Sequence, residues 1–376
     1  MPFGVSTQAG VDRDPVSWKE FRGHMAMLAE VVDAVIGGDT HRDTHALEMT
    51  TPVGATITTI TISNDDAGFV EALAWIAEHA PGPRLVVGLE GTRSYGIGLA
   101  RAAAAAGLSV VEVERPRRVA RRRGKSDPLD AHLAAVQVLA LPADRLPTPR
   151  ADGDREALRI LLGARAELST SRTKQINRRR ALLLAGDDTD RDLARGALTD
   201  KRLAAIYRRR GSTHASVADA VRRAEIRRLT AAIRAATQQL VTNKRQLTEL
   251  VTTVAPGLLE KVGVGPVSAA QAIVSWSHRG RCRTEAAFAA LAGASPIPAS
   301  SGRTTRHRLN RGGDRHLNRA LHDIVKTRWR VCPRTHHYIA RRRAAGRNDR
   351  EIRRSLKRYV ARELFRTLNA TALDNT

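Results

Sequence analysis

The stretch that decides the fold runs from Val31 to Asp39 and reads VVDAVIGGD. Its β-branched and small residues predict a buried strand that ends at Asp39. Two more strands are predicted at Ala46–Met49 and Ala55–Ile62, and the Pro-Val-Gly sequence at residues 52–54 supplies the turn between them. The three strands together predict a meander at the start of an α/β domain.

The elements after this meander alternate between helix and strand. Asn64 and Asp65 are candidate caps for the next helix. The predicted elements are a helix at Asp66–Ala80, a strand at Leu85–Leu89, a helix at Tyr95–Ala106, a strand at Leu108–Val113 and a helix from Asp127 to Leu139. The resulting order, β-β-β-α-β-α-β-α, is that of the ribonuclease H fold, so we expect an α/β RNase H-like domain here.

The charge of the chain indicates a polyanionic partner. Among 376 residues there are 63 Lys and Arg against 38 Asp and Glu, a formal net charge of +25. Lys and Arg side chains that contact phosphates release condensed counterions, so we expect nucleic acid as the ligand. The alternative is that the positive charge serves only general solubility. Aromatic residues make up only 3% of the chain. We therefore expect backbone contacts to dominate over the stacking of bases on aromatic side chains.

Cysteine usage and hydropathy bear on the compartment. The two cysteines, Cys282 and Cys332, form no CxxC motif and lie too far apart for a disulfide framework. No apolar run reaches the length of about 20 residues that a membrane span needs, and the N-terminus lacks the pattern of a signal peptide. These features predict a cytoplasmic protein without a membrane partner.

Four acids stand at the ends of the predicted elements. Asp39 ends the first strand, Glu90 follows the fourth strand, and Asp127 and Asp130 open the last helix. The ends of strands one and four are neighbours in a ribonuclease H sheet, and the last helix crosses beside them. Like charges at such a point need a cation, and carboxylate oxygens suit Mg²⁺. The sequence therefore predicts a divalent-metal site that acts on phosphate, although each acid taken alone has the simpler interpretation of a cap or turn residue.

Several nearby residues leave this assignment open. Asp33, Asp43 and Glu112 are further acids that the sequence alone does not exclude. His41 and His45 are four residues apart, but the predicted turn offers no third ligand for zinc. We expect these two histidines to be solvated or to lie near a phosphate.

The rest of the chain is predicted to be mainly helical. The predicted organisation is an N-terminal extension at 1–30, the α/β domain at 31–150, a helical hairpin or coiled-coil region at 151–255, and a mostly α-helical domain at 256–376. Residues 141–152 are predicted to be a linker, and a basic segment joins helices at about 155–185 and 216–254. Heptad-spaced apolar residues and the polar Asn243 in the second helix fit either packing within the chain or a dimerising coiled coil. Residues 301–376 contain 21 Lys and Arg against 6 Asp and Glu, which makes the C-terminal part a basic tail.

The acidic motifs resemble those of a known family. The segments Gly37–His41, Leu89–Thr92 and Lys125–Ala131 resemble the DEDD motif of the IS110 transposases and the related Piv DNA invertases, whose domain is RuvC-like. In the C-terminal part the resemblance is carried by Leu259–Pro266 with its GxG turn, Phe288–Pro296, Ser300–Arg303 and Asn310–Leu321. The sequence departs from the family at Gly312-Gly313, where Arg-Gly-Asn or Arg-Gly-Asp is usual.

The resemblance implies more than metal chemistry. It implies that Asp39, Glu90, Asp127 and Asp130 bind Mg²⁺ or Mn²⁺, and that Ser301 is a nucleophile that joins covalently to DNA. Ser300 is adjacent and remains an alternative. It further implies a structured bridge RNA that pairs with donor and target DNA, and a homodimer or homotetramer. The GxG turn can present backbone N–H groups to a phosphate.

Basic residues beside these motifs are candidate nucleic-acid contacts. The run from Arg115 to Lys125 contains seven cations and leads directly into the acidic motif at Asp127. The candidates are Arg117, Arg118, Arg121, Arg122, Arg123, Lys125, Arg303, Arg306 and Arg311. The expected function is that of an insertion-sequence transposase that cuts and rejoins DNA strands. Two alternatives remain: a Holliday-junction endonuclease that uses water, and a non-enzymatic scaffold that binds RNA or DNA.

Overall fold

The computed structural model describes residues 26–113, 127–150, 153–209, 216–298, 307–308 and 310–374. The chain divides into two compact units. One consists of residues 1–153 with 277–283, and the other of residues 154–276 with 284–376.

The first unit is built on a five-stranded mixed sheet. Its strands are β1 (Ala34–Thr40), β2 (Thr44–Thr50), β3 (Thr56–Ser63), β4 (Leu85–Glu90) and β5 (Ser109–Val113). The strand order is β3-β2-β1-β4-β5. Strands β1, β2 and β3 pair antiparallel, whereas β4 and β5 run parallel to β1. This topology fits the RNase H-like domain that the element order predicts.

Helices cover the two faces of this sheet. They are α1 (Leu28–Val31), α2 (Asp66–His79), α3 (Ile97–Ala105) and α4 (Asp127–Leu139). Alternate residues of each strand point to opposite faces, so one core contains Ile36, Leu47 and Leu89 with α2 and α3. The other core contains Val35 and Val86 with α4.

The first unit begins earlier and ends later than the sequence pattern indicates. Leu28 is fully buried in the α4-side core, although it falls in the predicted N-terminal extension. Residues 141–152 are predicted to be a linker, but Leu141 accepts a backbone hydrogen bond from Leu28, and Ala143 is buried. Both segments therefore take part in the core of this unit.

Two long helices and two short ones follow in the second unit. They are α5 (Gly153–Leu184), α6 (Asp188–Ala194), α7 (Asp200–Arg208) and α8 (Val217–Val254). The long helices lie where the sequence predicts them. The basic segment between them contains α6 and α7, which we did not expect; Asp187 and Thr199 cap these helices by accepting from the backbone N–H groups of Asp190 and Arg202.

Hydrogen bonds join α5 to α8 within the chain. The Asn243 side chain donates to the carbonyl oxygen of Leu161 (2.9 Å), and Arg165 donates to the carbonyl oxygen of Leu240 (3.1 Å). Arg172 donates to the Thr237 hydroxyl at 2.8 Å. Because the partner numbers rise on one helix as they fall on the other, α5 and α8 run antiparallel. These contacts support the intrachain hairpin, and a dimerising coiled coil stays a prediction.

The remaining elements of the second unit are short strands and helices. They are α9 (Pro266–Trp276), α10 (Glu285–Leu291), β6 (Ile297–Pro298), β7 (His307–Arg308), α11 (Arg315–Val331), α12 (Pro333–Ala344) and α13 (Asp349–Asp374). In the described part of the chain, no helix is both long enough and apolar enough to span a membrane.

Candidate active site

Asp39 and Glu90 lie at the carboxyl ends of neighbouring parallel strands. The register pairs Gly38 of β1 with Leu89 of β4, so the two acids are the next residues on adjacent strands. Asp39 is 6% exposed, and Glu90 is half-buried. By the alternation of side chains, both acids belong to the sheet face that carries Gly37 and Gly88. The predicted proximity of the two strand ends is confirmed by the register.

Helix α4 packs on this same face at unusually close range. A Cβ atom on Gly37 would lie 2.1 Å from the carbonyl oxygen of Ala131 and 2.5 Å from the backbone nitrogen of Ala135. A Cβ atom on Gly88 would lie 2.4 Å from Cγ2 of Val138. Since real Cβ atoms do not approach other atoms this closely, only glycine permits the contact. The two glycines therefore set the position of α4 over β1 and β4.

The two acids of α4 lie in its first turn, next to the residue that contacts Gly37. Asp130 directly precedes Ala131 and is 3% exposed. Asp127 is the first residue of α4, and its side chain lies outside the described residues. Among the side chains that the structure describes, no three His, Cys, Asp or Glu residues are grouped closely enough to hold a metal ion. The fold thus brings the elements that carry Asp39, Glu90 and Asp130 together, and metal binding stays a prediction.

The two histidines near Asp39 differ in their surroundings. Nε2 of His41 lies 3.1 Å from Oδ2 of Asp39, and the His41 side chain is 42% exposed. His45 is fully buried, its ring stacks on Phe69, and its Nδ1 lies 3.0 Å from the carbonyl oxygen of Thr44. Burial holds the pKa of His45 below its ordinary value. The expectation of a solvated or phosphate-near histidine is therefore wrong for His45, because β2 extends to Thr44 and turns this side chain into the core.

The turn after β4 holds Glu90 in place. The Thr40 hydroxyl donates to the carbonyl oxygen of Glu90 at 2.7 Å. Gly91 has a φ of 71°, a conformation that glycine adopts without strain. A Cβ atom on Gly96 would lie 2.8 Å from Cγ2 of Thr40 and 3.0 Å from the Glu90 carbonyl oxygen. The backbone at Glu90 is thus fixed by a side chain of β1 and by a closely packed turn.

A buried carboxylate–histidine pair beside the acids was not predicted from the sequence. Nδ1 of His132 in α4 lies 2.7 Å from Oε1 of Glu48 in β2, and the Thr56 hydroxyl donates to the same oxygen at 2.7 Å. Glu48 is 4% exposed and pairs in register with Gly37. An acid inside the apolar run Ala46–Met49 was the available signal. The pair ties α4 to β2 next to Asp130.

The three acids that the sequence left open have guanidinium partners. Asp33 precedes β1, at the opposite end of the sheet from Asp39, and Arg84 lowers its pKa by donating hydrogen bonds to it. Asp43 is exposed and pairs with Arg42. Burial raises the pKa of Glu112, but the hydrogen bonds from Arg150 outweigh this effect and lower it overall. These contacts give the three acids structural roles.

The C-terminal motifs are described in part. The GxG turn packs against α11, because the carbonyl oxygen of Val262 accepts from Nε of Arg328 at 2.7 Å and Gly263 has a φ of 80°. The backbone nitrogen of Gly265 lies 3.0 Å from the Ser268 hydroxyl. The turn therefore has a packing role, and the contact with a phosphate stays a prediction.

The second glycine of the Gly312-Gly313 pair has a structural explanation. Asp314 caps α11 by accepting from the backbone N–H groups of His316 and Leu317, and it accepts from the Ser275 hydroxyl at 2.5 Å. Gly313 has a φ of 86°, and a Cβ atom there would lie 2.4 Å from the carbonyl oxygen of Leu291. A glycine directly before Asp314 is therefore required by the packing.

Most of the predicted nucleic-acid contacts, and the predicted nucleophile, lie outside the described residues. Arg311 is described, and its side chain is exposed. The others are Ser300, Ser301, Arg303 and Arg306 in one segment, and Arg117, Arg118, Arg121, Arg122, Arg123 and Lys125 in the segment before Asp127.

Two family models match the chain, one in each half. A DEDD transposase model of the IS110 type matches residues 36–185, and a model of transposases of the IS116/IS110/IS902 family matches residues 257–340. A search of curated proteins gave no match.

The fold, the site and the matches agree on the class. A five-stranded mixed sheet followed by helices fits a ribonuclease H-like domain with a helical C-terminal region. The chain belongs to the IS110 family of transposases and is an enzyme that acts on DNA.

Proposed function

We propose that this transposase cuts and rejoins DNA strands with Asp39, Glu90, Asp127 and Asp130 as the ligands of Mg²⁺ or Mn²⁺. The observation that carries the proposal is the contact between Gly37 and Ala131. It sets α4 on the sheet face that carries Asp39 near the carboxyl end of β1 and Glu90 at the end of β4. Asp130, the neighbour of Ala131, is brought to the same face.

The donor set has the chemistry that a hard divalent cation requires. All four ligands are carboxylates, and Mg²⁺ prefers oxygen donors from a few carboxylates together with phosphate oxygens. Asp39 and Asp130 are each less than a tenth exposed, and carboxylates that share a shielded site favour an opposing cation. When bound, one or two ions of this kind polarise the scissile phosphate and stabilise the charge on the attacking and leaving oxygens.

We propose Ser301 as the nucleophile, with Ser300 as the alternative. The serine Oγ attacks a DNA phosphorus, so that a serine–phosphate ester forms, one backbone P–O bond breaks, and the leaving DNA oxygen takes up a proton. A hydroxyl of a second DNA strand then attacks this ester, restores the phosphodiester and returns the proton to the serine. Two such transesterifications need no external energy source. A serine hydroxyl is a weak nucleophile near neutral pH, so the carboxylate site is needed for its activation.

A bridge RNA that pairs with donor and target DNA is part of the proposal. The net charge of +25 and the basic C-terminal tail provide positive surface for more than one nucleic-acid partner. RNA of this kind is recognised mainly through shape and backbone. A reaction on four DNA strands is best served by a homodimer or homotetramer.

The experiment that tests the proposal separates the serine mechanism from hydrolysis by water. Purified protein is incubated with labelled donor and target DNA, Mg²⁺ and the RNA that co-purifies with it, and covalent protein–DNA adducts are then counted after denaturation. We expect wild type and Ser300→Ala to form adducts and Ser301→Ala to form none. Cleavage by Ser301→Ala at the wild-type rate, without an adduct in any variant, would favour the endonuclease.

The same preparation tests RNA guidance. Sequencing of the co-purified RNA is expected to show one structured species, and its removal is expected to abolish recombination. Recombination at the wild-type rate without any RNA would refute the guided reaction and leave the carboxylate chemistry intact.

A further inference from the structure

One face of α11 carries a row of cations that ends at an aromatic ring. This face carries Arg315, Arg319, His322, Lys326 and Trp329, which follow each other at intervals of three or four residues. With 3.6 residues per turn, these five positions fall within an arc of about 80° and span about 21 Å of helix. The opposite side of α11, with Leu317, Leu321 and Ile324, is buried.

Helix α13 adds two cations beside this row. The guanidinium carbon of Arg353 lies 4.8 Å from the centroid of the Trp329 ring. Nζ of Lys357 donates to Oδ1 of Asn318 at 2.9 Å, which fixes this ammonium against α11. We call the set of Arg315, Arg319, Lys326, Arg353 and Lys357 the cation row.

Trp329 holds two guanidinium groups in place. Arg343 of α12 lies 5.8 Å from the centroid of the same ring, in addition to Arg353. Cation–π contacts of this kind restrict a flexible arginine without neutralising its charge. Arg343 also pairs with Asp349 at 2.9 Å, whereas Arg353 forms no ion pair within the part of the chain that the structure describes.

The cations of the row act on one another. Burial lowers the pKa of Lys357, and the charge of Arg315 lowers it further. Burial also lowers the pKa of His322, as do the charges of Lys357, Arg353 and Lys326, while Asp323 opposes this effect. Helix α11 contains five Lys and Arg residues and only this one acid. Such an excess of positive charge produces a local potential that attracts a polyanion.

We propose that the cation row binds the sugar-phosphate backbone of a nucleic acid, through residues other than the four carboxylates. From Arg315 to Trp329, where Arg353 lies over the ring, this face spans about 21 Å, which matches roughly six steps of a nucleic-acid strand at about 3.4 Å per step. An exposed row of guanidinium and ammonium groups, with one arginine held by a tryptophan ring, recognises phosphate oxygens. The inference rests on the proposed function to the extent that the chain acts on nucleic acid.

The test measures binding in EDTA, so that catalysis does not contribute. Full-length protein is titrated into labelled duplex DNA, an RNA duplex of the same sequence and the two single strands, at several salt concentrations. Arg353→Gln and the double variant Lys326→Gln/Arg353→Gln are compared with Arg358→Gln. The control makes the same charge change on an exposed part of α13, about 140° around the helix from Arg353.

The expected result is a loss of both affinity and salt dependence. On duplex DNA, the slope of log affinity against log salt concentration should become shallower by about 0.9 for Arg353→Gln and by about 1.8 for the double variant. The affinity of the double variant should fall about tenfold or more, whereas Arg358→Gln should leave the slope unchanged. The nucleic acid for which the affinities of the double variant and Arg358→Gln differ most is the natural ligand of the cation row.

A second variant tests the role of the ring. Trp329→Leu removes the platform for Arg353 and should weaken binding as Arg353→Gln does, while Trp329→Phe should retain it. The proposal is overturned if the double variant binds every ligand as tightly as Arg358→Gln. In that case the carboxylate chemistry is unaffected, because its own test reads strand cleavage.

Discussion

Gly37 of β1 lies directly under the backbone of Ala131 in α4, so close that a Cβ atom on the glycine would meet the Ala131 carbonyl oxygen at 2.1 Å. This contact joins the strand that carries Asp39 near its carboxyl end to the helix turn that carries Asp130. Gly37 in VVDAVIGGD therefore has a function beyond strand formation. It permits the approach that brings acids far apart in sequence to one face of the sheet.

Gly37→Ala should displace α4 and remove activity. The added methyl group has no space, and overpacking of this kind costs about 1–3 kcal/mol. We expect a lower midpoint of thermal unfolding and loss of strand cleavage. Gly163→Ala is the matched control, since a Cβ atom there meets nothing within 4 Å, and it should raise stability by up to about 1 kcal/mol. Equal unfolding midpoints for the two variants would contradict the packing argument.

His132→Ala should destabilise the first unit. Glu48 is buried, and its Oε1 atom would keep the hydrogen bond from the Thr56 hydroxyl but lose the one with His132, so the loss of stability should be about 1–3 kcal/mol. Denaturant unfolding measures the change. In a double-mutant cycle with Glu48→Gln, the double variant should lose less free energy of unfolding than the two single variants lose in sum. Strict additivity would show that the two side chains do not interact.

Asn243→Ala should loosen the α5–α8 hairpin. The Asn243 side chain donates to the Leu161 carbonyl oxygen and accepts from Arg165, and it is 5% exposed. Removing it leaves a buried carbonyl without that donor, which should cost about 1–3 kcal/mol. Faster amide hydrogen exchange in both helices is the readout. Thr248→Ala, at a half-buried position of α8 whose hydroxyl donates within its own helix, should leave exchange unchanged.

The ion pair at the start of α6 should stabilise the second unit in a pH-dependent manner. Hydrogen bonds from Arg209 lower the pKa of Asp187 from 3.8 to about 2. A carboxyl whose pKa is lowered on folding stabilises the protein above its unfolded pKa, and this stabilisation is lost as the pH falls towards the folded pKa. Arg209→Gln should therefore be less stable than wild type above about pH 4.

The difference between wild type and Arg209→Gln should shrink as the pH falls to about 2, when measured by denaturant unfolding. Arg195→Gln, which breaks an exposed pair with Asp192, should change stability by less than about 1 kcal/mol at any pH. A constant difference for Arg209→Gln across this range would contradict the linkage.

Local sequence pattern predicts much of the first unit. The strands from β1 to β5 and helix α4 follow from hydrophobic runs and turn residues, and the element order leads to the positions of Asp39 and Glu90. These local patterns do not predict the contacts between segments that are far apart in the sequence. Glu48 and His132 are 84 residues apart, and only the packing of α4 on the sheet brings them together.

Other departures have equally physical causes. The segment around Leu28 looks polar and irregular in sequence, but a single buried leucine attaches it to the core. The helices α6 and α7 were concealed by charge, because Arg209 and Asp187 pair there and make a packed region resemble a solvated one. Ser301 is proposed as the nucleophile on family resemblance alone, because no periodic pattern in the sequence marks a nucleophile.

The central claim is that acids from β1, β4 and α4 form one metal site that cuts DNA. The most direct measurement is Mg²⁺-dependent strand cleavage by Asp130→Asn, with DNA binding recorded in parallel, against Asp43→Asn as an exposed acid of the β1–β2 turn. We predict that Asp130→Asn binds DNA like wild type but loses cleavage by at least about a hundredfold, while Asp43→Asn cleaves normally. Cleavage by Asp130→Asn at the rate of Asp43→Asn would contradict the account.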